Sequence, residues 1–570
     1  MSLRKDLENV SIHPETILDD DLRTNVVRLK NAVESFAKEN DDLRIENQAL
    51  QDEINLLKGE HANPKFSKKK REKNSNHSSE EERKSQEKNA HQEEEEDSDT
   101  EEGKQKKRRK KRSKKGRVTV DRTEHIVLDR TGLPDDLQFK GYQKTVIQEL
   151  AIVRDNICFE REIYYSPSMK KTYTAPLPKG YTGQFGPNIK TTTLHMYQDG
   201  GMTEPGIKRF LDTHGIHISS GTISDIITNQ VDVFHEEKIQ IIDAGLQSTT
   251  YQHLDDTYSP VNGKNQHTHI LCNPFYTAYL TLPRRDRLAA IRVLSNRPLI
   301  FSLNEDTYAL MEKLKLPKKR IEEVRALSKK DMQLDEAQMD AFLAQLYPDV
   351  HRYQTNQKRI REAAAIVAYK QSTNKIEILM SDGAKQFETI TEHHALCWVH
   401  EGRHYKKLNP LLLCHRQTVE NFIQEFWEFY RRLLAYKSSP NRETADALSK
   451  DFDTVFSKKT GYEALDARIA ITLAHKEKLL LVLTYPEIPL HNNPAESGAR
   501  MQARKRDISL QTKSEKGTQA KDTMMTIVET AKKLGVNTFN YILDRISQSY
   551  KMDSLASLIA KHATLANDTS

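Results

Sequence analysis

Thr249-Thr250-Tyr251-Gln252-His253-Leu254-Asp255-Asp256-Thr257 is the stretch from which the rest of this chain can be read. Its threonine- and tyrosine-rich start predicts a strand over 249–255 that ends at the first acid. Strand alternation sends Asp255 and Asp256 to opposite faces, and Asp255 shares its face with His253 and Thr257. Two more acids stand at comparable boundaries. Ile376-Glu377-Ile378-Leu379-Met380 is a mostly apolar strand that runs into Ser381-Asp382-Gly383, where the glycine permits a sharp turn. Asn492-Asn493-Pro494-Ala495-Glu496 opens a helix with proline at its first position, and Glu496 reads as a capping-box acid.

Each acid taken singly is more often structural than catalytic. Together, two strand-end aspartates and a helical glutamate have the donor chemistry of a two-metal phosphoryl-transfer site, because hard divalent cations want carboxylate oxygens. The expected ligands of two Mg²⁺ (or Mn²⁺) ions are Asp255, Asp382 and Glu496, with Asp256 in an outer position. Arg500, Arg504, Lys505 and Arg506 follow the glutamate and are expected to bind DNA. Arg500 and Arg504 fall on its helical face, which favours contact with DNA phosphate over a merely solvated basic face. His400 is a further candidate for phosphate contact. Cys397-x-x-His400 with Cys414-His415 has spacing that could hold zinc, but without a second tight pair the expectation is a packed core cysteine and no zinc.

Outward from these acids, the 570 residues allow several domains. Residues 22–57 carry a heptad: Leu22, Leu29, Phe36, Leu43, Leu50 and Leu57 at one position, Val26, Val33, Asn40, Asn47 and Ile54 at the other. The pattern predicts a parallel coiled coil, in which Asn40 and Asn47 favour an in-register homodimer. The charged segment that follows offers no nearby core to receive such a helix. Residues 59–117 have almost no aliphatic content and are expected to be a disordered linker. Lys104–Arg117 contains eleven Lys or Arg, and without that run the chain's charge of +6 becomes −5. Such a run suits phosphate backbones, a solubilising linker or, in a eukaryotic host, nuclear import.

Further on, 118–185 is expected to be a small mostly-β domain and 186–243 a helix-turn-helix-like DNA-binding region. There Thr203-Glu204-Pro205 opens one helix, Gly215 ends it, and Ser219 or Ser220 caps the next. The catalytic domain is placed at 244–545, with a meander after the first acid and helical insertions at about 300–370 and 415–480. In the second insertion Phe422, Phe426, Phe429, Tyr430 and Leu433 form a core stripe. Residues 1–20 are expected to be flexible and 546–570 a tail. No apolar run approaches a membrane span, no secretory signal is apparent, and four scattered cysteines suit a reducing compartment. The expected location is therefore the cytoplasm, at the nucleoid in a bacterium.

The surroundings of the acids carry a family resemblance. His253-Leu254-Asp255-Asp256-Thr257 resembles the His-x-Asp-Glu-Thr block of bacterial transposases of the insertion-sequence-66 family. Ser381-Asp382-Gly383 and Cys397-Trp398-Val399-His400 resemble that family's second-aspartate strand and its Cys-Trp-Ala-His block. Pro489-Leu490-His491-Asn492-Asn493-Pro494-Ala495-Glu496, with Arg500, is close to its most specific motif, and Glu529-Thr530-Ala531 to the end of its terminal helical block. The resemblance covers roughly 160–545 and implies a ribonuclease H-like α/β core whose Asp255, Asp382 and Glu496 cleave and transfer DNA strands. Successive acids lie 127 and 114 residues apart, which two helical insertions would explain.

Three departures are visible: no cysteine pair at Tyr165–Met169, Asp256 in place of glutamate, and Ser497 and Asp507 where basic residues are common. Competing readings are a catalytically inactive, transposase-derived DNA-binding regulator and a two-metal nuclease without strand transfer. A basic-zipper factor is disfavoured, because its basic run would have to lead directly into the zipper.

Overall fold

The computed structural model describes residues 17, 19–57, 120–129, 131, 141–349 and 351–568. The linker expected over 59–117 lies outside the described residues. Asp20–Leu57 is one helix, α1. Contrary to the expectation that nothing is near enough to receive it, one face of α1 lies on the chain's own 408–463 region. Asn31 Nδ2 donates to Gly461 O at 3.1 Å, and Lys38 Nζ donates to Tyr462 Oη at 2.9 Å.

Among the described residues of 120–185, regular structure amounts to an antiparallel hairpin of β1 (Ile163–Ser166) and β2 (Lys171–Thr174). No apolar side chain there is buried. Among the described residues of this segment no core of its own forms: apolar side chains such as Ile126, Val127, Ile147 and Val153 are present but lie exposed, with no partner surface to enclose them.

Four helices follow: α2 (Pro187–Gln198), α3 (Glu204–Thr213), α4 (Ser220–Thr228) and α5 (Asp232–Gln247). The hydroxyl of Thr203 accepts from Gly206 N and that of Ser219 from Thr222 N, so both caps sit where the sequence places them. Gly215 takes a positive φ of 74° in the turn between α3 and α4. These helices share one hydrophobic core with the sheet (Leu194, Ile223, Phe234 and Ile242 with Leu254 and Leu271) and do not form a body of their own.

The sheet has five strands: β3 (Tyr251–Tyr258), β4 (His267–Cys272), β5 (Thr277–Leu282), β8 (Ile378–Ser381) and β9 (His393–Leu396), in the order β5-β4-β3-β8-β9. β3, β4 and β5 form the expected antiparallel meander, whereas β8 and β9 run parallel to β3. Between β5 and β8 lie α6 (Arg287–Ser295) and the first insertion. The insertion comprises β6 (Phe301–Leu303), α7 (Glu305–Lys313), α8 (Lys318–Leu327), β7 (Met332–Leu334), α9 (Glu336–Leu346) and α10 (Gln354–Gln371).

After β9 come α11 (Trp398–Lys406) and the second insertion, formed by α12 (Leu413–Ser438), α13 (Arg442–Phe456), α14 (Glu463–Ala474) and the short α15 (Lys476–Leu479). The stripe Phe422, Phe426, Phe429, Tyr430 and Leu433 is buried with Trp398 in a second core. β9 ends at Leu396, and Cys397 is the N-cap of α11. The buried Cys397 sulfur accepts from His400 N, as an N-cap would.

Finally α16 (Asn493–Ser509), α17 (Glu515–Lys533), α18 (Thr538–Ile546) and α19 (Leu555–Asp568) close the chain. The stretch read as a tail thus contains a docked helix: Leu555 and Ile559 are fully buried, and Leu555 N reaches the Glu237 carboxylate at 3.3 Å. Among the described residues, no helix is long and apolar enough to cross a membrane.

One packing contact aims α16 at the sheet. A Cβ on Gly498 would come within 2.7 Å of Ile270 Cγ2 and 3.3 Å of Tyr279 Oη, so only glycine lets the helix lie this close to β4 and β5. Gly498→Ala is expected to lower stability by about 1–3 kcal/mol through overpacking. A denaturant midpoint equal to wild type would contradict this packing.

Candidate active site

Asp255 lies within β3, which does not end at the first acid but stays paired with β4 to Tyr258, whereas Asp382 directly follows the neighbouring parallel strand β8. The β3–β8 register pairs His253 with Met380, and two more residues along each strand place Asp255 beside Asp382. Asp255 pairs with Ile270 on β4, the residue that packs beneath Gly498, so Asp255 faces α16 and Glu496. Burial pushes the Asp255 carboxyl up to about 7; the charges of Asp382, Asp256 and Glu496 add to the rise, against a hydrogen bond from Asp256 N. The three acids therefore share one electrostatic locale. Asp256 takes the opposite face, where Gln386 Nε2 donates to it at 3.1 Å and Arg285 approaches to 3.9 Å.

Asn492 ties the strand to the helix. Its Nδ2 donates to Leu254 O at 3.1 Å and its Oδ1 lies 2.8 Å from His253 Nδ1. The amide orientation thus set makes His253 Nδ1 the donor. Burial takes that imidazole down to about 3, so it stays neutral. On its other side the Asn492 backbone N–H donates to Cys397 Sγ at 3.2 Å, and Trp398 N donates to Leu490 O at 2.9 Å. The Cys397 thiol, pushed up to about 11 by burial, thereby joins the starts of α11 and α16. Asn492→Ala removes both side-chain bonds and leaves the His253 donor buried and unpaired, a loss of about 2–3 kcal/mol. Thermal melts check this, and an unchanged melting temperature would contradict it.

Glu496 does not cap its helix. Asn492 occupies the N-cap position without a side-chain cap, and the Glu496 carboxylate turns to three cationic or ionisable side chains. Arg403 Nη1 lies 3.3 Å from both carboxylate oxygens, Arg500 Nη2 is at 3.4 Å, and His400 Nδ1 is at 3.4 Å. Burial lowers the affinity of His400 for its proton, opposed by the charge of Glu496. Sequence reasoning missed Arg403, although it stands one helical turn after His400 and so shares its face of α11.

The basic residues beyond Glu496 divide. Arg500 and Arg504 are exposed. Lys505 is buried, its ammonium over the Tyr197 ring and bonded to Tyr197 O, and burial brings it down to about 7. Arg506 Nη1 donates to Tyr258 O at 2.7 Å. Both thus brace α16, Lys505 against α2 and Arg506 against β3; Lys505, being buried, is not exposed to DNA, whereas Arg506 stays partly exposed.

Of the residues with zinc-like spacing, His415 turns away to Glu34. Cys397, His400 and Glu496 do gather, with candidate donor atoms within 4.8 Å of one another. Two N–H groups already occupy the protonated sulfur, and Arg403 holds the carboxylate. Asp255, Asp382 and Glu496 are not gathered as tightly, and Arg403 holds the same Glu496, but all their donors are carboxylate oxygens, and burial followed by the charges of the neighbouring acids keeps the proton on Asp255. That chemistry fits Mg²⁺ or Mn²⁺.

The family model described as Transposase IS66 family matches residues 323–520, a span that includes Asp382, Arg403 and Glu496 and begins after Asp255. A protein of Sinorhizobium fredii (strain NBRC 101917 / NGR234), described as uncharacterized protein y4jO, is 31% identical over 332 residues, which cover 57% of this chain and 100% of that protein. No solved structure matches the chain. On the family match and the full-length coverage of this relative, the chain belongs to the IS66 transposase family.

Proposed function

We propose that this protein is a DNA transposase that cleaves insertion-element ends and joins them to target DNA, with Asp255, Asp382 and Glu496 as the ligands of two divalent cations. The observation that supports the reading is that Asp255 on β3 stands beside the end of β8 and faces α16, and that its carboxyl feels the charge of the other two acids. A central strand with a meander on one side and two parallel strands on the other supports a ribonuclease H-like core. Bound cations would supply an activated nucleophile and a stabilised leaving oxygen.

The chain's own groups do the positioning. Asn492 fixes the start of α16 to β3, and Gly498 lets the helix approach the sheet. Arg403 and Arg500 neutralise Glu496, and their guanidinium forks would suit the oxygens of a scissile phosphate beside it. Arg504 extends the basic surface along α16, and Lys104–Arg117 adds backbone affinity without reading sequence. Two element ends need two protomers, and the α1 heptad supplies them as a parallel homodimer.

The test is Mg²⁺-dependent cleavage of the element's own ends by Asp255→Ala, Asp382→Ala and Glu496→Ala. All three are expected to be inactive. Wild-type cleavage by all three would overturn the assignment. A wild-type protein that binds the ends but never cuts them would favour the regulator instead.

A further inference from the structure

The heptad and the docking contacts of α1 use different sides of the helix. With Val26, Val33, Asn40 and Asn47 written as position a and Leu22, Leu29, Phe36, Leu43 and Leu50 as d, the residues facing the chain's own body are b, e and f: Val27 and Glu34, Ala37, Asn31 and Lys38. At 3.6 residues per turn the two faces lie roughly 140° apart. The d stripe is open, with Leu29 61% and Phe36 70% exposed, whereas Glu34 is 2% exposed.

Glu34 ends in a built socket. Leu411 N and Leu412 N donate to its carboxylate, His415 Nδ1 lies 3.1 Å away, and Lys38 Nζ is at 3.5 Å. The His415 ring stacks on Tyr462 with centroids 4.2 Å apart. Leu412 is the N-cap of α12 and has no side-chain cap of its own, so Glu34 supplies the acceptor and the negative charge that a helix start favours. Val27 lies beside Gly461, and Glu463 N donates to Asn31 Oδ1 at 3.3 Å. Burial alone would raise the Glu34 carboxyl, but these bonds and Lys38 bring it down to about 2.

We propose that α1 is a two-sided strut, clipped by Glu34 into the second insertion of its own chain and paired along its d stripe with a second copy of this chain. The pairing half rests on the homodimer proposed above; the clip does not. A second copy is the occupant that the stripe itself specifies. Asn40 and Asn47 would meet their own mates in register. The zipper is then fixed to each protomer's catalytic unit beside α12, so pairing of the chains sets the placement of the two active sites.

The experiment uses the full-length protein, with mass from light scattering and hydrogen exchange at the amides of Leu411 and Leu412. The double variant Leu29→Glu/Phe36→Glu is expected to be monomeric with those amides still protected. Glu34→Ala is expected to remain dimeric while their exchange speeds up at least about tenfold, the amides having lost their acceptor. Glu34→Gln, which keeps the shape and some bonding, should show a smaller rise and guards against a folding defect. Unchanged exchange in Glu34→Ala, or a monomer from it, overturns the clip. Loss of protection in the stripe variant shows that docking needs the second copy, and also overturns the clip. A stripe variant that stays dimeric overturns the pairing reading and leaves the clip standing.

Discussion

Asp255→Asn is expected to reduce Mg²⁺-dependent cleavage of element ends by at least about a thousandfold, equivalent to about 4 kcal/mol of barrier, while binding to the same DNA changes only a few-fold. The substitution keeps the size of the side chain and removes a charge that cations would require. Asp382→Asn and Glu496→Gln should behave alike, because the three acids act on one reacting centre and their losses will not add. Asp256→Asn is the internal control. Its carboxylate lies on the opposite face with Gln386 and Arg285, so the expected loss is no more than about tenfold. Single-turnover cleavage, measured beside a binding isotherm, checks both. Equal losses at Asp255 and Asp256 would mean that strand alternation does not sort the pair.

The second large effect concerns stability. An unfolded chain ionises Asp255 near the ordinary aspartate value, whereas the folded protein holds the proton to about 7. The metal-free fold is therefore most stable, with respect to this group, below about pH 4. It loses stability as pH rises from about 4 to 7 and changes no further above that. Asp255→Asn removes the penalty. In the presence of a chelator at pH 8 the variant should be more stable than wild type, by at most roughly 4 kcal/mol for a three-unit shift. The advantage should shrink towards pH 5. Added Mg²⁺ or Mn²⁺ should stabilise wild type and narrow the gap, because a cation takes over the role of the proton. Melting curves at both pH values, with and without metal, read this directly. A variant less stable than wild type at pH 8 would contradict a crowded carboxylate cluster.

The positions of Asp255 and Asp382 were legible because strand alternation and a Gly-marked strand end are local properties. Glu496 was legible as a position on a helix start, but not in its partners. The capping-box reading assumed that the carboxylate serves its own helix, and Arg403, 93 residues earlier, outcompetes that bond. Lys505 shows the same limit. Its spacing from Glu496 says nothing about Tyr197, 308 residues away, which receives it.

The meander, the caps of α3 and α4 and the aromatic stripe on α12 were readable for the reason that Lys505 was not: their determinants lie within a few residues. The docking of α1 was missed because Glu34 looks like an ordinary outward heptad charge, and its partners lie beyond residue 408. The helix at 555–568 did carry a signal, with Leu555, Leu558, Ile559 and Ala563 at helical spacing. Its brevity and terminal position obscured it. The small β region failed for the opposite reason, since strand-like residues there have no partner surface to pack against.

The most direct test of the central claim is iron-directed cleavage of the polypeptide. Fe²⁺ replaces Mg²⁺ at carboxylate sites, and with ascorbate and peroxide it breaks nearby backbone. Cuts are expected at three places, near Asp255, Asp382 and Glu496, all suppressed by excess Mg²⁺ and all lost together in Asp255→Asn. Cutting near one acid without the other two, or cutting that survives Asp255→Asn unchanged, would show that the three carboxylates do not hold metal as one site.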